Sequence, residues 1–309
     1  MGVSASGDYS VALCEKSQSS GRASLAAGYI CKTTGDYSVA MGYMSTASYC
    51  GFAFGGNVTA GISNFTIGHY NKTSDTTGSM SGTEGNAFII GNGTSSATSN
   101  AFRVTYGGGV YGKGSFKTTG ADYAEYFEWI DGNPDNEDRR GRFVTVDGEK
   151  IRFATADDDY ILGVVSAAPA VEGDNYDDDW QGKYLTDIFG ARLTQTVHHE
   201  AVYEERETID PETGEKTIEK VLLHEAYDAE EWILNPDYDP TQEYVSREDR
   251  KEWSPIGFMG KLVVIDDGTC KVNGYCKAGE NGIATKTTDK SGYRVMERID
   301  DTHIKILVR

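Results

Sequence analysis

Proline is missing from the first 133 residues of this 309-residue chain; all six lie at Pro134 or beyond. Cysteine is scarce and odd in number, five, with no pair at metal-ligand spacing, so neither a disulfide framework nor a zinc site is expected. No apolar run approaches the ~20 residues that cross a bilayer. The start, MGVSASGDYS, has neither the basic residues nor the apolar core of a secretory signal. Positive charge is short as well: 29 Lys and Arg face 48 Asp and Glu, a net −19. That balance repels phosphate and argues against nucleic acid or an anionic membrane as partner. The charge is unevenly spread. Residues 1–118 carry net +2 and the remainder net −21, while 21 of the 37 glycines precede residue 119. A composition boundary near residue 118 separates two domains.

What fills the first third is repetition. One eight-residue pattern occurs six times: GDYSVALC (7–14), GRASLAAG (21–28), GDYSVAMG (35–42), SYCGFAFG (48–55), GISNFTIG (61–68) and EGNAFIIG (84–91). Successive copies start 14, 14, 13, 13 and 23 residues apart, the short period of a stacked solenoid. Small and larger apolar residues alternate, so each copy reads as a short strand with small side chains inward. An interior of Ser, Ala, Gly and Thr buries little against roughly 1–2 kcal/mol of backbone entropy per ordered residue. The outward row (Val11, Leu25, Val39, Phe52, Phe65, Phe88, with Leu13, Met41, Phe54, Ile67 and Ile90 beside it) must therefore pack on other surface. Three copies closing on one another supply it economically. These repeats resemble the left-handed β-roll of trimeric adhesin heads, a module also found in phage tail fibres.

A strand at 100–104 and a glycine-dense neck follow. The stretch at 107–114 is no phosphate loop, lacking a Gly-Lys-Ser/Thr ending and a following apolar helix. The second domain reads as β-rich, with strands at 143–146, 151–154, 160–166, 260–265 and 304–308, and a hairpin at Asn273-Gly274. A polar insertion at 193–253 contains a hairpin (202–209 with 217–223, joined by 210–214) and a short helical segment at 226–233.

The densest chemistry is TTGADYAEYFEW at 118–129. Thr118 and Thr119 place two hydroxyls beside Gly120, and Asp122, Glu125 and Glu128 supply three carboxylates. A hydroxyl with paired acids suffices to cut a nearby peptide bond. The plainer alternative is a helix start, with Thr119 as N-cap and Asp122 at the capping-box position. If 123–129 is a strand, Asp122 and Glu125 face opposite ways and could serve one bond only from different chains. If it is a helix, they share a face within one chain. Elsewhere, Asp157–Asp159 and Asp177–Asp179 read as solvated acidic turns rather than Ca²⁺ cages. His198, His199, Glu200 and His224 lack zinc spacing. The run Tyr123, Tyr126, Phe127, Trp129 reads as packing, and the five thiols as chemically idle.

GADYAEYFEW with Asp131-Gly132-Asn133, then GRFVT (141–145), DYILGVVS (159–166), Trp180 with GKY (182–184), GKLVV (260–264), DGTCKVNGYC (267–276) and GYRV (292–295), resemble the intramolecular-chaperone autoproteolytic domain of phage tailspikes and neck appendages. The resemblance covers 120–309 apart from the insertion. It implies a mainly β fold in three parts: a trimeric β-roll at 1–106, a neck at 107–118, and a globular trimerising chaperone at 119–309. The chaperone sets fibre register and then cuts itself free, at Thr118–Thr119 or, alternatively, Thr119–Gly120. Asp122 and Glu125 carry over as the acid pair, with Glu128 as a third candidate. Thr119 stands where the family often has Ser, and its branched Cβ hinders attack. No cofactor or metal is implied. The expected partners are two further copies, the rest of the fibre and virion, and a host-surface receptor, with assembly in the host cytoplasm. A non-cleaving structural or adhesive trimer is the rival. A glycan-cutting enzyme would need a cleft that the narrow coil cannot provide.

Overall fold

In the computed structural model, residues 2–75, 85–175, 180–209 and 216–309 are described. They are almost entirely β, with two single-turn 3₁₀ segments, Thr73–Asp75 and Glu280–Gly282. Among the described residues no helix is long and apolar enough to cross a membrane. The chain divides into two compact units, Met1–Phe116 with Tyr184–Leu234, and Lys117–Lys183 with Asn235–Arg309.

The first unit is built on the expected solenoid. Strands Val11–Leu13, Leu25–Tyr29, Val39–Tyr43, Phe52–Gly56, Phe65–His69 and Asn86–Asn92 stack in parallel along one side. Two-residue strands from Ser4–Ala5 to Thr59–Ala60 stack along another. Register keeps like with like: Val11, Leu25, Val39, Phe52, Phe65 and Phe88 form one ladder, and Leu13, Ala27, Met41, Phe54, Ile67 and Ile90 another. Inside lie Ala26, Ala40, Ala53, Cys31, Ala47, Val58 and Ala60, all fully buried. Buried hydroxyls satisfy one another, Ser19 Oγ lying 2.7 Å from Ser24 Oγ and 2.9 Å from Thr33 Oγ1.

Stacking this tight dictates the glycine column. Gly28, Gly42, Gly55 and Gly68 all hold positive φ, between +100° and +138°, and a Cβ on Gly42 would lie 2.2 Å from the Gly55 carbonyl oxygen. The coil corners are turned by ordinary residues in the left-handed region, among them Tyr9, Ala23, Tyr37, Cys50 and Ser63. Outward, the large side chains remain half-covered or bare, with Val11 46%, Leu13 51%, Phe52 38% and Phe65 40% exposed. Phe52, Phe65 and Phe88 stack along the coil at ring spacings of 6.2 and 5.7 Å, and Phe102 meets Phe88 edge to face at 6.3 Å. The expected strand after the repeats forms as Asn100–Thr105. Glu84, the first residue of the sixth copy, lies outside the described residues.

The insertion hairpin forms as Val202–Ile209 against Lys216–His224, with its expected loop at 210–214 outside the described residues. The helix expected at 226–233 does not form. Tyr227–Trp232 is a strand, because Thr194–His199 offers it a six-residue antiparallel partner from Thr194–Trp232 to His199–Tyr227. Within this unit Arg22 pairs with Glu204 at 3.0 Å.

The second unit carries one large sheet, in the order Lys150–Phe153, Phe143–Asp147, Gly163–Val165, Trp253–Ile265, His303–Val308, Tyr293–Arg298, Tyr275–Ala278, Ala284–Thr287. The Asn273-Gly274 hairpin is also corrected. Asn273, at φ 66°, sits in a turn closed by Gly274 N–H on the Lys271 carbonyl, but no strand precedes it, and Tyr275–Ala278 pairs forward instead. One core packs Phe143, Val164, Val264, Val295, Ile304 and Ile306; another packs Trp129, Val144, Ile151, Val165 and Ile256. The expected aromatic packing holds at Tyr126 and Trp129, 4% and 1% exposed, and Trp129 Nε1 donates to Ser254 Oγ.

Candidate active site

The acidic motif is a strand, Asp122–Glu128, held antiparallel by Trp253–Ile265 and parallel by Val171–Gly173. The helix-capping alternative is thereby overturned: residue 122 opens a ladder with two strand partners, and no helix follows Thr119. Alternation assigns the faces. Asp122, Ala124 and Tyr126 are buried, whereas Tyr123, Glu125 and Phe127 on the opposite face are half-covered.

Just before the strand, the chain runs through a crowded passage. A Cβ on Gly120 would lie 2.6 Å from Ala170 Cα. Lys261 N–H donates to the Ala121 carbonyl at 3.2 Å, and Ala170 N–H to the Asp122 carbonyl at 2.7 Å. Gly120 N–H donates to Thr118 Oγ1 at 3.1 Å, which occupies that hydroxyl and tightens the turn. Thr119 is exposed, and its hydroxyl has no hydrogen-bond partner among the described residues.

Thr118, Thr119 and Asp122 line one cavity of about 630 Å³, together with Ser166, Lys261 and His303. Asp122 is only 6% exposed, and its Oδ2 has no hydrogen-bond partner. Burial pushes its carboxyl above the ordinary aspartate range, and a hydrogen bond with the Ser166 side chain opposes that rise in part. The cavity's other carboxyl, Asp138, is engaged by Arg140 at 2.8 and 2.6 Å and pulled down to about 2 by that guanidinium. His303 Nδ1 lies 2.9 Å from both oxygens of Asp300. An acid that keeps its proton more readily than usual, in one cavity with a free hydroxyl, is suited to proton transfer at a peptide bond.

The other two acids stand elsewhere. Glu125 accepts a hydrogen bond from Tyr123 Oη at 2.5 Å on the far face and does not line the cavity. Glu128 is paired with Lys150 at 2.6 Å and lies roughly 20 Å along the strand from Asp122, six residues at about 3.3 Å each. Ser166, Lys261 and His303 escaped notice as site residues. The motifs of the first two, GVVS and GKLVV, were visible, but nothing local marks any of the three as a cavity wall.

The weaker constellations resolve as structure. Asp158 is spent on Arg152 at 2.6 and 3.0 Å. Asp177–Asp179 and the His224 side chain lie outside the described residues. His198 pairs with Asp228 at 2.6 Å, and its neighbour His199 with Glu231 at 2.7 Å, so the two imidazoles do not converge. Asp266, Asp267 and Cys270 form a compact ligand-like group, but Arg298 fills the position a cation would take, bonding both Asp266 oxygens at 3.1 and 2.8 Å. Cys270 and Cys276 are buried free thiols, and burial pushes Cys276 up to about 12, far from thiolate chemistry at neutral pH.

Gly257 supplies a direct check on this site. A Cβ there would lie 2.8 Å from Asp122 Oδ2 and from Leu262 Cδ2. Gly257→Ala must displace the carboxylate, and cutting is expected to slow by about 10²-fold, the usual penalty for misplacing a group by an ångström. A cleavage time course on a denaturing gel reads it, and an unchanged rate would take Asp122 out of the chemistry.

Known proteins supply a frame for this geometry. A pre-neck appendage protein of Bacillus phage B103 is 32% identical over 197 residues, 63% of this chain and 20% of that protein. The corresponding protein of Bacillus phage phi29 is 30% identical over 188 residues, 57% of this chain and 19% of its own length. The chain thus spans about a fifth of the relatives it matches. The crystal structure of pre-mature bacteriophage phi29 gene product 12 shares the fold across the whole chain and 40% of its own, with TM-score 0.60 at 19% identity. Residues 63–302 match the family described as Peptidase_G2, IMC autoproteolytic cleavage domain. Most of the chain, including Thr118, Thr119 and Asp122, falls inside that match, and the chain belongs to this family of self-cleaving peptidases.

Proposed function

We propose that this chain is the distal part of a phage tail fibre or neck appendage, whose second unit is an intramolecular chaperone. The chaperone brings three copies together, aligns their solenoids, and then cuts itself off at Thr118–Thr119, with Thr119–Gly120 as the neighbouring alternative. The partners are two further copies, the remainder of the fibre and virion, and a receptor on the host surface. Assembly takes place in the host cytoplasm. The observation that carries this reading is the buried Asp122 carboxyl, its Oδ2 without a hydrogen-bond partner, in one cavity with the free Thr119 hydroxyl.

In chemical terms, Thr119 Oγ adds to the Thr118 carbonyl carbon as its proton passes to an acid–base partner. The C–N bond then breaks, and Asp122 gives a proton to the departing Thr119 nitrogen. The resulting ester is hydrolysed by water, leaving a Thr118 carboxylate and restoring the Thr119 hydroxyl. Each chain turns over once. Glu125 is the second acid of the pair.

Coils of this kind pair non-locally, and small side chains specify register weakly, so they form slowly and expose edges while doing so. A globular trimer formed first removes that difficulty. Its later release makes unfolding slow, because the assembly route no longer exists in reverse.

Mapping new N-termini in aged protein by mass spectrometry tests the bond. A terminus at Thr119 supports the assignment and one at Gly120 moves it by a residue. A terminus at Asp122 would shift the chemistry to the bond whose carbonyl Lys261 N–H already polarises. No new terminus near residue 118 leaves the non-cleaving fibre.

A further inference from the structure

Cutting through a Thr119 ester leaves one step without a partner. The acids serve the transfer of the Thr118 acyl group from nitrogen to Thr119 Oγ, but the water that then opens the ester needs a base of its own. Asp122, only 6% exposed, stands away from solvent. The base has to stand where the cavity meets water. His303 does: it lines the cavity with Thr118 and Thr119, and its side chain is 42% exposed. It is also the only histidine in the sequence of the second unit. Register explains the placement. His303 pairs with Ile265 across the sheet, and so shares a face with Ile265, Val263 and Lys261, all of them cavity residues.

An imidazole acts as a base when one ring nitrogen is held and the other is free. Asp300 does the holding, with both of its oxygens 2.9 Å from His303 Nδ1. Asp300 is fixed in turn by Thr302, whose N–H donates to it at 2.8 Å and whose hydroxyl donates at 3.3 Å. The Thr302 N–H first, and the His303 ring second, keep the Asp300 carboxyl below the ordinary aspartate range. An ionised carboxylate only accepts, so in the neutral ring Nδ1 carries the proton and donates it. The lone pair is then on Nε2, which has no hydrogen-bond partner among the described residues.

We propose that His303, oriented by Asp300, is the base that activates water for hydrolysis of the Thr118–Thr119 ester. This rests on the proposed autocleavage through Thr119 and assigns its second half. The water oxygen adds to the ester carbonyl carbon as one of its protons passes to His303 Nε2. The bond from that carbon to Thr119 Oγ then breaks, and Nε2 returns the proton to the departing oxygen. Thr119 regains its hydroxyl, the new Thr118 carboxyl loses its proton to solvent, and the imidazole is neutral again. Asp300 is a positioning residue in this scheme.

The test separates the two halves of the reaction. His303→Ala should still form the ester but open it about 10²-fold more slowly than the wild type. Transfer to oxygen is reversible, so the stalled chain returns to an ordinary peptide bond on denaturation and runs at full length. Neutral hydroxylamine, added to the native full-length protein, attacks the ester directly and makes the loss irreversible. It should split His303→Ala into two fragments, with a hydroxamate in place of an acid at Thr118 by mass spectrometry. His303→Gln guards against a folding defect, since its amide can still donate to Asp300 but cannot take the proton. It should be slow and give the same hydroxamate. Cutting by His303→Gln at the wild-type rate would overturn the proposal. Slow cutting by His303→Gln without a hydroxamate would overturn it too, by placing the defect before the ester. A wild type that neither cuts nor yields a hydroxamate is a different result: it removes the autocleavage reading itself, and this assignment with it.

Discussion

Replacing Asp122 by Asn is expected to stop cleavage, by 10³-fold or more in rate, the scale on which loss of an essential acid–base group is felt. The same change should make the uncut protein more stable at neutral pH. Burial raises the Asp122 carboxyl in the folded chain above its value in the unfolded chain. The folded state therefore holds the proton over a window where the unfolded state has released it, and stability falls as pH rises through that window. Above the window the cost of a buried carboxylate, offset in part by Ser166, is present; below about pH 4 it vanishes. Asp122→Asn should exceed Glu125→Gln, an uncut reference altered outside the cavity, by on the order of 1 kcal/mol at pH 8. The two should converge at pH 4. Thermal or denaturant melts at both pH values measure this. Equal stabilities at pH 8 would mean that Asp122 is solvated or paired, contrary to its place in the fold.

Phe65→Asp is expected to break the assembly. Phe65 occupies the middle of the outward ladder, stacked against Phe52 and Phe88 at 6.2 and 5.7 Å and 40% exposed in the single chain. Covered by a neighbouring copy, an aspartate there would be buried without a partner, at about 3–5 kcal/mol for each copy. Multiplied around a ring, that is enough to lose the oligomer at micromolar concentration. Because the proposed cutting follows assembly, cleavage should fall with it. Size-exclusion chromatography and a gel on the same sample read both effects. An intact oligomer would show that the ladder faces solvent in the assembly.

How much of this was legible beforehand follows from where each signal resides. The solenoid was readable because its period is written in the chain: Val11, Leu25, Val39 and Phe52 recur at the spacing of one coil and are ladder partners. Asp122 stood out because it sits among other acids beside two hydroxyls. The segment at 226–233 misled because Ala, Glu and Trp suit a helix. Pairing with Thr194–His199, some thirty residues earlier in sequence, overrode that propensity. Asn273-Gly274 gave a true turn in the wrong context, since a hairpin needs a strand on each side. The cavity walls were invisible for a different reason. Ser166, Lys261 and His303 come from segments far apart in sequence, and only the sheet order brings them to Asp122.

Beneath both predictions lies a claim about the coil itself. Its interior is mostly alanine, serine and threonine, and most of its larger apolar side chains point outward, so a single copy has little to hold it folded. Sedimentation equilibrium of the uncut Asp122→Asn protein at sub-micromolar concentration tests this most directly. A mass of three 33.6 kDa chains is the expected result. A folded, monodisperse species at the mass of one chain would contradict the account.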